Sequence, residues 1–88
     1  MRVGQRRKRD AVEPAIRQAL AAVGATIVQV SSPGAPDLLV TYQGRLYAAE
    51  VKSGTGKLTP AQVRLGAGEH WPIWRSVDDA LRAIGALR

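Results

Sequence analysis

The stretch GAPDLLVTYQGRLYAAEVKSGTGKLTPAQ, Gly34–Gln62, decides the fold of this chain. Within it, the runs DLLVTY and RLYAAEVKS are rich in β-branched and aromatic residues and flank Gln43–Gly44. Two such runs around a short turn containing glycine predict a β-hairpin. Three charged residues, Asp37, Glu50 and Lys52, stand on these strands where apolar residues would be expected.

The segments before the hairpin predict a helix and a strand. Apolar residues recur at helical spacing after Asp10, and Pro14 belongs in a first turn, so the regular helix is expected to begin near Glu13. Gly24 is a natural stop. The run ATIVQVSS that follows is rich in β-branched residues and predicts a strand.

The segments after the hairpin predict two more helices and a strand. In TPAQ, Thr59 suits the N-cap, Pro60 the first helical position and Gln62 the third, which together make a capping box. The run WPIWRSV predicts a fourth strand. Ser76 is expected to cap a last helix that runs through about Leu87.

The predicted fold is a small α/β sandwich with the order α-β-β-β-α-β-α and a mixed sheet flanked by helices. The hairpin pairs its strands antiparallel. The third and fourth strands are joined through a helix, and such a crossover predicts a parallel pair.

The amino-acid composition excludes some classes of function and favours others. The chain has 88 residues, enough for one small domain, and no cysteines, which excludes disulfide scaffolds and thiolate metal sites and is compatible with a reducing, cytoplasmic setting. No apolar run approaches the ~20 residues of a membrane span. The net charge of +6 favours a polyanionic partner.

The cations are concentrated at the N-terminus. Five of the thirteen Lys and Arg residues lie in the first nine positions. This run predicts a basic arm, residues 1–9, ahead of a single domain, residues 10–88. The arm is expected to contact phosphates through Arg6, Arg7, Lys8 and Arg9. A solubilising tail is the alternative.

The charged strand residues predict a hydrolytic site. Side chains alternate along a strand, so Glu50 and Lys52 face the same side, and the hairpin brings Asp37 to their level. Two carboxylates this close repel unless a cation lies between them, and Mg²⁺ held by both, with the Val51 carbonyl, is one answer. Lys52 would then orient water or offset charge on a phosphate. The alternative is a surface salt bridge between Glu50 and Lys52.

At this point the sequence resembles a known group of enzymes. The pair PD at Pro36–Asp37, followed by EVK at 50–52, resembles the signature of the PD-(D/E)xK nuclease superfamily. The longer pattern SSPGAPDLLV…AAEVKSGTGKLTPAQ is more similar to its VRR-NUC branch, whose short viral members stand alone as single domains. The resemblance covers about Glu13 to the end and implies a restriction-endonuclease-like fold that uses Mg²⁺ or Mn²⁺.

The resemblance also implies residue roles. Asp37, Glu50 and Lys52 match its core positions. Glu13 matches a helix glutamate of the family that reaches the metal directly or through water. The alternative role for Glu13 is structural, as a favourable negative charge in the first turn of a helix. Gln62 matches a glutamine near the site, and its alternative is the capping box, although one side chain can serve both purposes.

The predicted function is a metal-dependent DNA endonuclease that acts on branched DNA such as Holliday junctions or flaps. A junction suits a two-fold homodimer, because two strands are cut symmetrically. The resemblance suggests a phage or mobile-element setting. The main rival is a non-catalytic DNA-binding module with the same fold, and a third possibility is a domain that binds an acidic protein.

The remaining motifs give weaker indications of function. SGTGKLT fails as a nucleotide phosphate-binding loop, because Val51 stands where the first glycine belongs and Leu58 replaces Ser or Thr. Lys57 in this loop and Ser32 before the Gly-Ala-Pro turn are expected to contact a DNA phosphate, with ordinary loop chemistry as the alternative. His70 is interpreted as structural. Trp71 and Trp74 are expected to face opposite sides.

Overall fold

The structure, a computed structural model, describes residues 9–87. Its elements follow the predicted order: α1 (Glu13–Ala22), β1 (Thr26–Gln29), β2 (Leu38–Tyr42), β3 (Arg45–Val51), α2 (Pro60–Leu65), β4 (Ile73–Trp74) and α3 (Val77–Ala83). The predicted α/β fold with a mixed sheet is therefore confirmed.

All four strands and helix α3 are shorter than the sequence predicts. Strand β1 has four residues, β2 begins at Leu38 rather than Asp37, and β3 ends at Val51 rather than Ser53. Strand β4 has only two residues, because Pro72 has no N–H to donate and Ser76 already caps the next helix. Helix α3 ends at Ala83 rather than near Leu87, since Ile84 leaves the helical conformation and Gly85 takes φ +85°.

The hairpin turn sets the register of the central strands. Gln43 and Gly44 both have positive φ, at +49° and +79°, as a two-residue hairpin turn requires. Tyr42 pairs with Arg45, and the ladder continues to Leu38 opposite Ala49. One further step along this register puts Asp37 opposite Glu50, as the sequence predicts.

The four strands lie in the order β1-β2-β3-β4. The first three pair antiparallel, and β4 pairs parallel with β3. The Glu50 and Lys52 N–H groups donate to the Pro72 and Trp74 carbonyls of this edge segment, at 2.9 and 3.1 Å. The predicted parallel pair and the edge position of Pro72 are confirmed.

The two faces of the sheet differ. The inner face buries Leu38, Val40, Ala49 and Val51 against helices α1 and α3. Ile16, Leu20, Trp74, Ala80 and Ile84 complete the core. By strand alternation, the outer face carries Val28, Leu39, Leu46, Ala48 and Glu50.

No helix among the described residues is long and apolar enough to cross a bilayer. Three residues of the predicted arm, Arg6, Arg7 and Lys8, lie outside the described part of the chain, so their predicted DNA contacts remain predictions. Arg9 is described, and it lies against the domain.

Candidate active site

Asp37 enters the site at the start of the hairpin. The preceding turn is tight: Gly34 has φ +82°, and a Cβ there would lie 2.8 Å from Leu65 Cδ1 of α2. The Asp37 N–H donates to the Ala49 carbonyl at 2.9 Å, and its Oδ2 accepts from the Val51 N–H at 2.8 Å. These two bonds fix the carboxyl group at the end of β3, and only 6% of the residue is exposed.

Glu50 lies next to Asp37 and is completely buried. Its Oε2 accepts from Gln62 Nε2 at 2.8 Å, and its Oε1 lies 3.4 Å from the indole Nε1 of Trp71, which donates to it. Side chains from α2 and from the segment before β4 therefore hold the carboxyl group in one orientation on the outer face of the sheet.

The pKa of Glu50 is raised from its ordinary value of 4.5 to about 8, and burial is the largest cause. A hydrogen bond with the Asp37 side chain and the negative charge of Asp37 contribute to this rise, while the Trp71 indole and the Lys52 ammonium act against it. At neutral pH Glu50 is therefore mainly protonated, and its proton removes the repulsion that two adjacent carboxylates would have.

Gln62 serves both of the roles that the sequence predicts for it. The side-chain Oε1 of Gln62 accepts from the Thr59 backbone N–H at 2.8 Å, and the Gln62 backbone N–H donates to Thr59 Oγ1 at 3.1 Å. The predicted capping box of α2 is therefore present. The other end of the same amide donates to Glu50. The helix cap therefore orients the Gln62 amide toward the carboxyl group.

Lys52 follows Glu50 on the same face, and only 8% of it is exposed. Its stem packs near Gly56, where a Cβ would lie 3.7 Å from Lys52 Cδ. The ion pairs found among residues 9–87 join Arg9 and Arg17 to Glu13 and Asp37 and do not include a Glu50–Lys52 pair. The alternative of an exposed salt bridge between Glu50 and Lys52 is therefore wrong: both are buried and they do not pair directly.

Glu13 is buried in the first turn of α1 and is held by three side chains. Arg9 Nη1 donates to both of its carboxylate oxygens at 3.2 and 3.1 Å, and Gln29 Nε2 donates to Oε2 at 2.9 Å. Arg17 Nε lies 3.6 Å from the same oxygen. Arg9 Nη1 is also 3.8 Å from Asp37 Oδ1, so this guanidinium connects Glu13 to the acidic pair.

The start of α1 is tied to the end of β3. Asp10 Oδ1 accepts from the Ser53 N–H at 2.9 Å, and Ser53 Oγ accepts from the Val12 N–H at 3.1 Å. These two bonds place Glu13, one residue after Val12, beside the strand that carries Glu50.

The Val51 peptide groups face the Asp37 side of β3. Glu50 and Lys52 direct their N–H groups to the β4 side, whereas the Val51 N–H donates to Asp37. Strand geometry directs the Val51 carbonyl to that same side. The predicted role of this carbonyl as a metal ligand stays a prediction.

Asp37 and Glu50 are the two carboxyl groups that lie side by side at the predicted metal site. Among the described residues, no three His, Cys, Asp or Glu side chains form a group that could hold a metal ion. Asp37 and Glu50 supply hard oxygen donors, and Mg²⁺ is often held by one or two carboxylates with waters and substrate phosphates. The Glu13 oxygens accept from Arg9 and Gln29, just as the Glu50 oxygens accept from Gln62 and Trp71, and the predicted role of Glu13 as a metal ligand stays a prediction.

The predicted DNA contacts take different positions. Ser32 and Lys57 are exposed, at the loop before β2 and the loop before α2, and their roles remain predictions.

His70 is exposed, and its backbone N–H donates to the Gly66 carbonyl at the end of α2. Trp74 packs in the core, whereas Trp71 reaches Glu50, which confirms that the two indoles separate.

Sequence reasoning missed four residues of the site. Arg9 was assigned only to the arm, and Gln29, Trp71 and Asp10 received no site role. One signal was available for Trp71, since a half-buried indole N–H usually requires an acceptor. The Gln29–Glu13 and Asp10–Ser53 contacts join residues 16 and 43 positions apart, which no local pattern reveals. The Arg9–Glu13 pair is four positions apart, which is helical spacing.

Comparison with known proteins adds no relative: no protein-family model, no curated protein and no solved structure matches the chain. The resemblance to the VRR-NUC branch therefore rests on the motif residues between Ser31 and Gln62.

Proposed function

We propose that this chain is a divalent-metal-dependent DNA endonuclease that hydrolyses phosphodiester bonds. One observation carries the proposal: the carboxyl groups of Asp37 and Glu50 lie together in a buried position beside the Lys52 ammonium. Burying two carboxyl groups and an ammonium together removes water from all three, which is unfavourable for a small domain unless each is well paired. Such a cluster is typical of a functional site.

Mg²⁺ or Mn²⁺, when bound by Asp37 and Glu50, would polarise a phosphate oxygen and lower the pKa of a bound water. Gln62 and Trp71 fix the Glu50 carboxyl, and the Val51 N–H fixes that of Asp37. Lys52 is placed to offset the negative charge that would develop on the phosphate, since its positive charge already acts on the neighbouring Glu50 carboxyl group.

The charge of the chain supports DNA as the substrate. A net charge of +6 attracts a polyanion, and binding is expected to weaken steeply with salt as counterions are released. Few groups suited to reading base edges stand near the site, so the proposal favours selectivity for DNA structure, such as a Holliday junction or a flap. An enzyme of this kind acts where DNA lies, in the cytoplasm of a bacterial host.

The exposed apolar residues support the homodimer part of the proposal. Val28 is 55% exposed and Leu46 67% exposed, and both lie on the outer face of the sheet. A contiguous exposed apolar patch often marks an interaction surface, and a dimer would need Leu39, on strand β2 between them, to complete such a patch. A second copy placed there would give a two-fold assembly suited to a junction. Sedimentation showing only monomer at micromolar concentration would remove this part.

The test of the function is cleavage of a Holliday junction, a flap and a plain duplex, with Mg²⁺ or Mn²⁺ and with chelator. Asp37→Asn keeps an acceptor for the Val51 N–H but removes the charge. We expect it to lower the cleavage rate by about 100-fold or more, the scale of losing one electrostatic stabiliser. Arg45→Gln, at the far end of the hairpin, is the control and should cleave at nearly the wild-type rate.

The rival function is a DNA-binding module without activity. It predicts that wild type and Asp37→Asn bind the same DNA and that neither cuts under any metal condition. Absence of both cutting and salt-sensitive binding would instead favour an acidic protein as the partner. Metal-dependent cutting by wild type alone supports the nuclease.

A further inference from the structure

Arg9 makes the most extensive set of contacts of any cation in the described structure, and the proposed reaction does not use it. Its Nη1 reaches both Glu13 oxygens and lies 3.4 Å from the Asp37 carbonyl oxygen, to which it donates. Its Nη2 donates to the Val30 carbonyl at 2.9 Å and to Ser31 Oγ at 3.3 Å. The partners come from three segments: the start of α1, the end of β1 and the start of β2.

The charge of Arg9 lies close to the acidic pair. Its side chain is 23% exposed, so water screens it only in part, and Nη1 is 3.8 Å from Asp37 Oδ1. A divalent cation bound at Asp37 would stand within a few ångströms of this guanidinium. At such a distance like charges repel strongly in a partly buried site.

We infer that Arg9 is a built-in competitor of the divalent cation: it neutralises the Glu13–Asp37 side of the site until the cation or a phosphate polyanion displaces it. The inference rests on the proposed function. Arg9 adjoins the basic run of the N-terminus, which carries Arg6, Arg7 and Lys8, so a DNA phosphate that attracts this run also attracts Arg9. Removing Arg9 from the acids would then strengthen cation binding.

Linkage makes the effect reciprocal. If DNA raises the affinity for the cation by releasing Arg9, the cation raises the affinity for DNA by the same factor. The chain would therefore hold its cation weakly without DNA and more tightly with it. A site of this kind limits metal binding when no substrate is present.

The experiment is a calorimetric titration of Mn²⁺, without DNA, into wild type, Arg9→Gln and Arg17→Gln. Both variants remove one positive charge beside Glu13, but only Arg9 reaches Asp37. We expect Arg9→Gln to bind Mn²⁺ more tightly by on the order of tenfold, within the usual range of coupling between sites. Arg17→Gln should change the affinity much less.

Equal gains in the two variants would overturn the inference, because net charge alone would explain them. Unchanged or weaker binding by Arg9→Gln would also overturn it and would make Arg9 a structural residue only. Both results leave the nuclease proposal intact if wild type binds Mn²⁺. If neither wild type nor either variant binds Mn²⁺, that result contradicts both the proposed metal site and this inference.

A measurement on the unaltered chain guards against misfolding of Arg9→Gln. In nitrogen-edited NMR, the Arg9 guanidinium signals should be resolved and slowly exchanging without metal, because its N–H groups are bonded. Titration with diamagnetic Mg²⁺ should shift them and speed their exchange, while Arg45 signals stay constant. Arg9 signals that remain unchanged at saturating Mg²⁺ would overturn the inference.

Discussion

At the C-terminal end of strand β3, from Ala49 to Val51 and on to Lys52, both faces are buried but chemically opposite. Ala49 and Val51 point to the inner face, whereas Glu50 and Lys52 point outward, and none of the four is more than 8% exposed. Helices α1 and α3 cover the inner face, while Gln62 and Trp71 cover Glu50. Burial therefore has two different consequences within one segment of the chain.

On the inner face, burial removes apolar surface from water and stabilises the fold by about 25 cal/mol per Å². On the outer face it removes water from a carboxyl group and an ammonium, which is unfavourable unless they are paired. The inner face therefore supplies stability, and the outer face retains groups that are suited to chemistry at some cost in stability.

The largest expected effect is on the inner face. Leu38→Ala should lower the free energy of unfolding by about 2–5 kcal/mol, because Leu38 is fully buried and its truncation leaves a cavity. Leu46→Ala makes the same chemical change on the outer face, where the side chain is 67% exposed, and should cost less than about 1 kcal/mol. Urea unfolding measures both. Similar losses would show that the faces are not distinct.

The next effect is on the outer face and depends on pH. The pKa of Glu50 is about 8 in the folded chain, whereas its ordinary value, which applies to the unfolded chain, is 4.5. Between pH 4.5 and pH 8, therefore, the folded chain binds a proton at Glu50 that the unfolded chain has lost. Stability from this group is therefore fully present below pH 4.5 and is lost as pH rises toward 8. Without metal, Glu50→Gln should remove this loss and stabilise the chain at pH 8 by on the order of a few kcal/mol.

The control for this prediction is Glu69→Gln, which removes the same charge from an exposed position after α2. Chemical unfolding at pH 5 and pH 8 gives the comparison. A stability difference between Glu50→Gln and wild type that is the same at both pH values would contradict the raised pKa.

The smallest effect concerns the support of the site. Thr59→Val removes the hydroxyl that caps α2, and Ser76→Ala removes the equivalent hydroxyl from α3. Each should cost about 1 kcal/mol in thermal unfolding. Only the first loosens Gln62, so only Thr59→Val should also weaken cleavage. Equal cleavage rates in the two variants would show that the Thr59 hydroxyl does not help Gln62 to orient the Glu50 carboxyl, since the Thr59 N–H bond to Gln62 Oε1 remains in Thr59→Val.

Local patterns in the sequence predict much of this fold. Gln43–Gly44 fixes the hairpin, and counting outward from this turn places Asp37 beside Glu50. Thr59, Pro60 and Gln62 predict the start of α2 correctly because a helix cap depends on neighbouring residues. These signals are local, and the structure follows them.

The remaining features depend on contacts between distant segments. Arg9 bonds to Val30 and Trp71 to Glu50, separations of 21 residues in both cases, and periodicity does not specify such pairs. The two-residue strand β4 is held mainly by its neighbour β3 rather than by its own propensity. Glu13 was expected among the metal ligands, but its position beside Arg9 depends on the packing of α1.

The most direct test of the central claim, that the outer face of β3 is a cation site, is thermal unfolding at pH 8 with increasing Mn²⁺. Wild type should gain about 2.7 kcal/mol at a Mn²⁺ concentration 100 times Kd, because the cation binds only the folded chain. Asp37→Asn should gain little, and K⁺ at matched ionic strength should stabilise neither protein. Equal stabilisation of wild type and Asp37→Asn, or none in either, would contradict the claim.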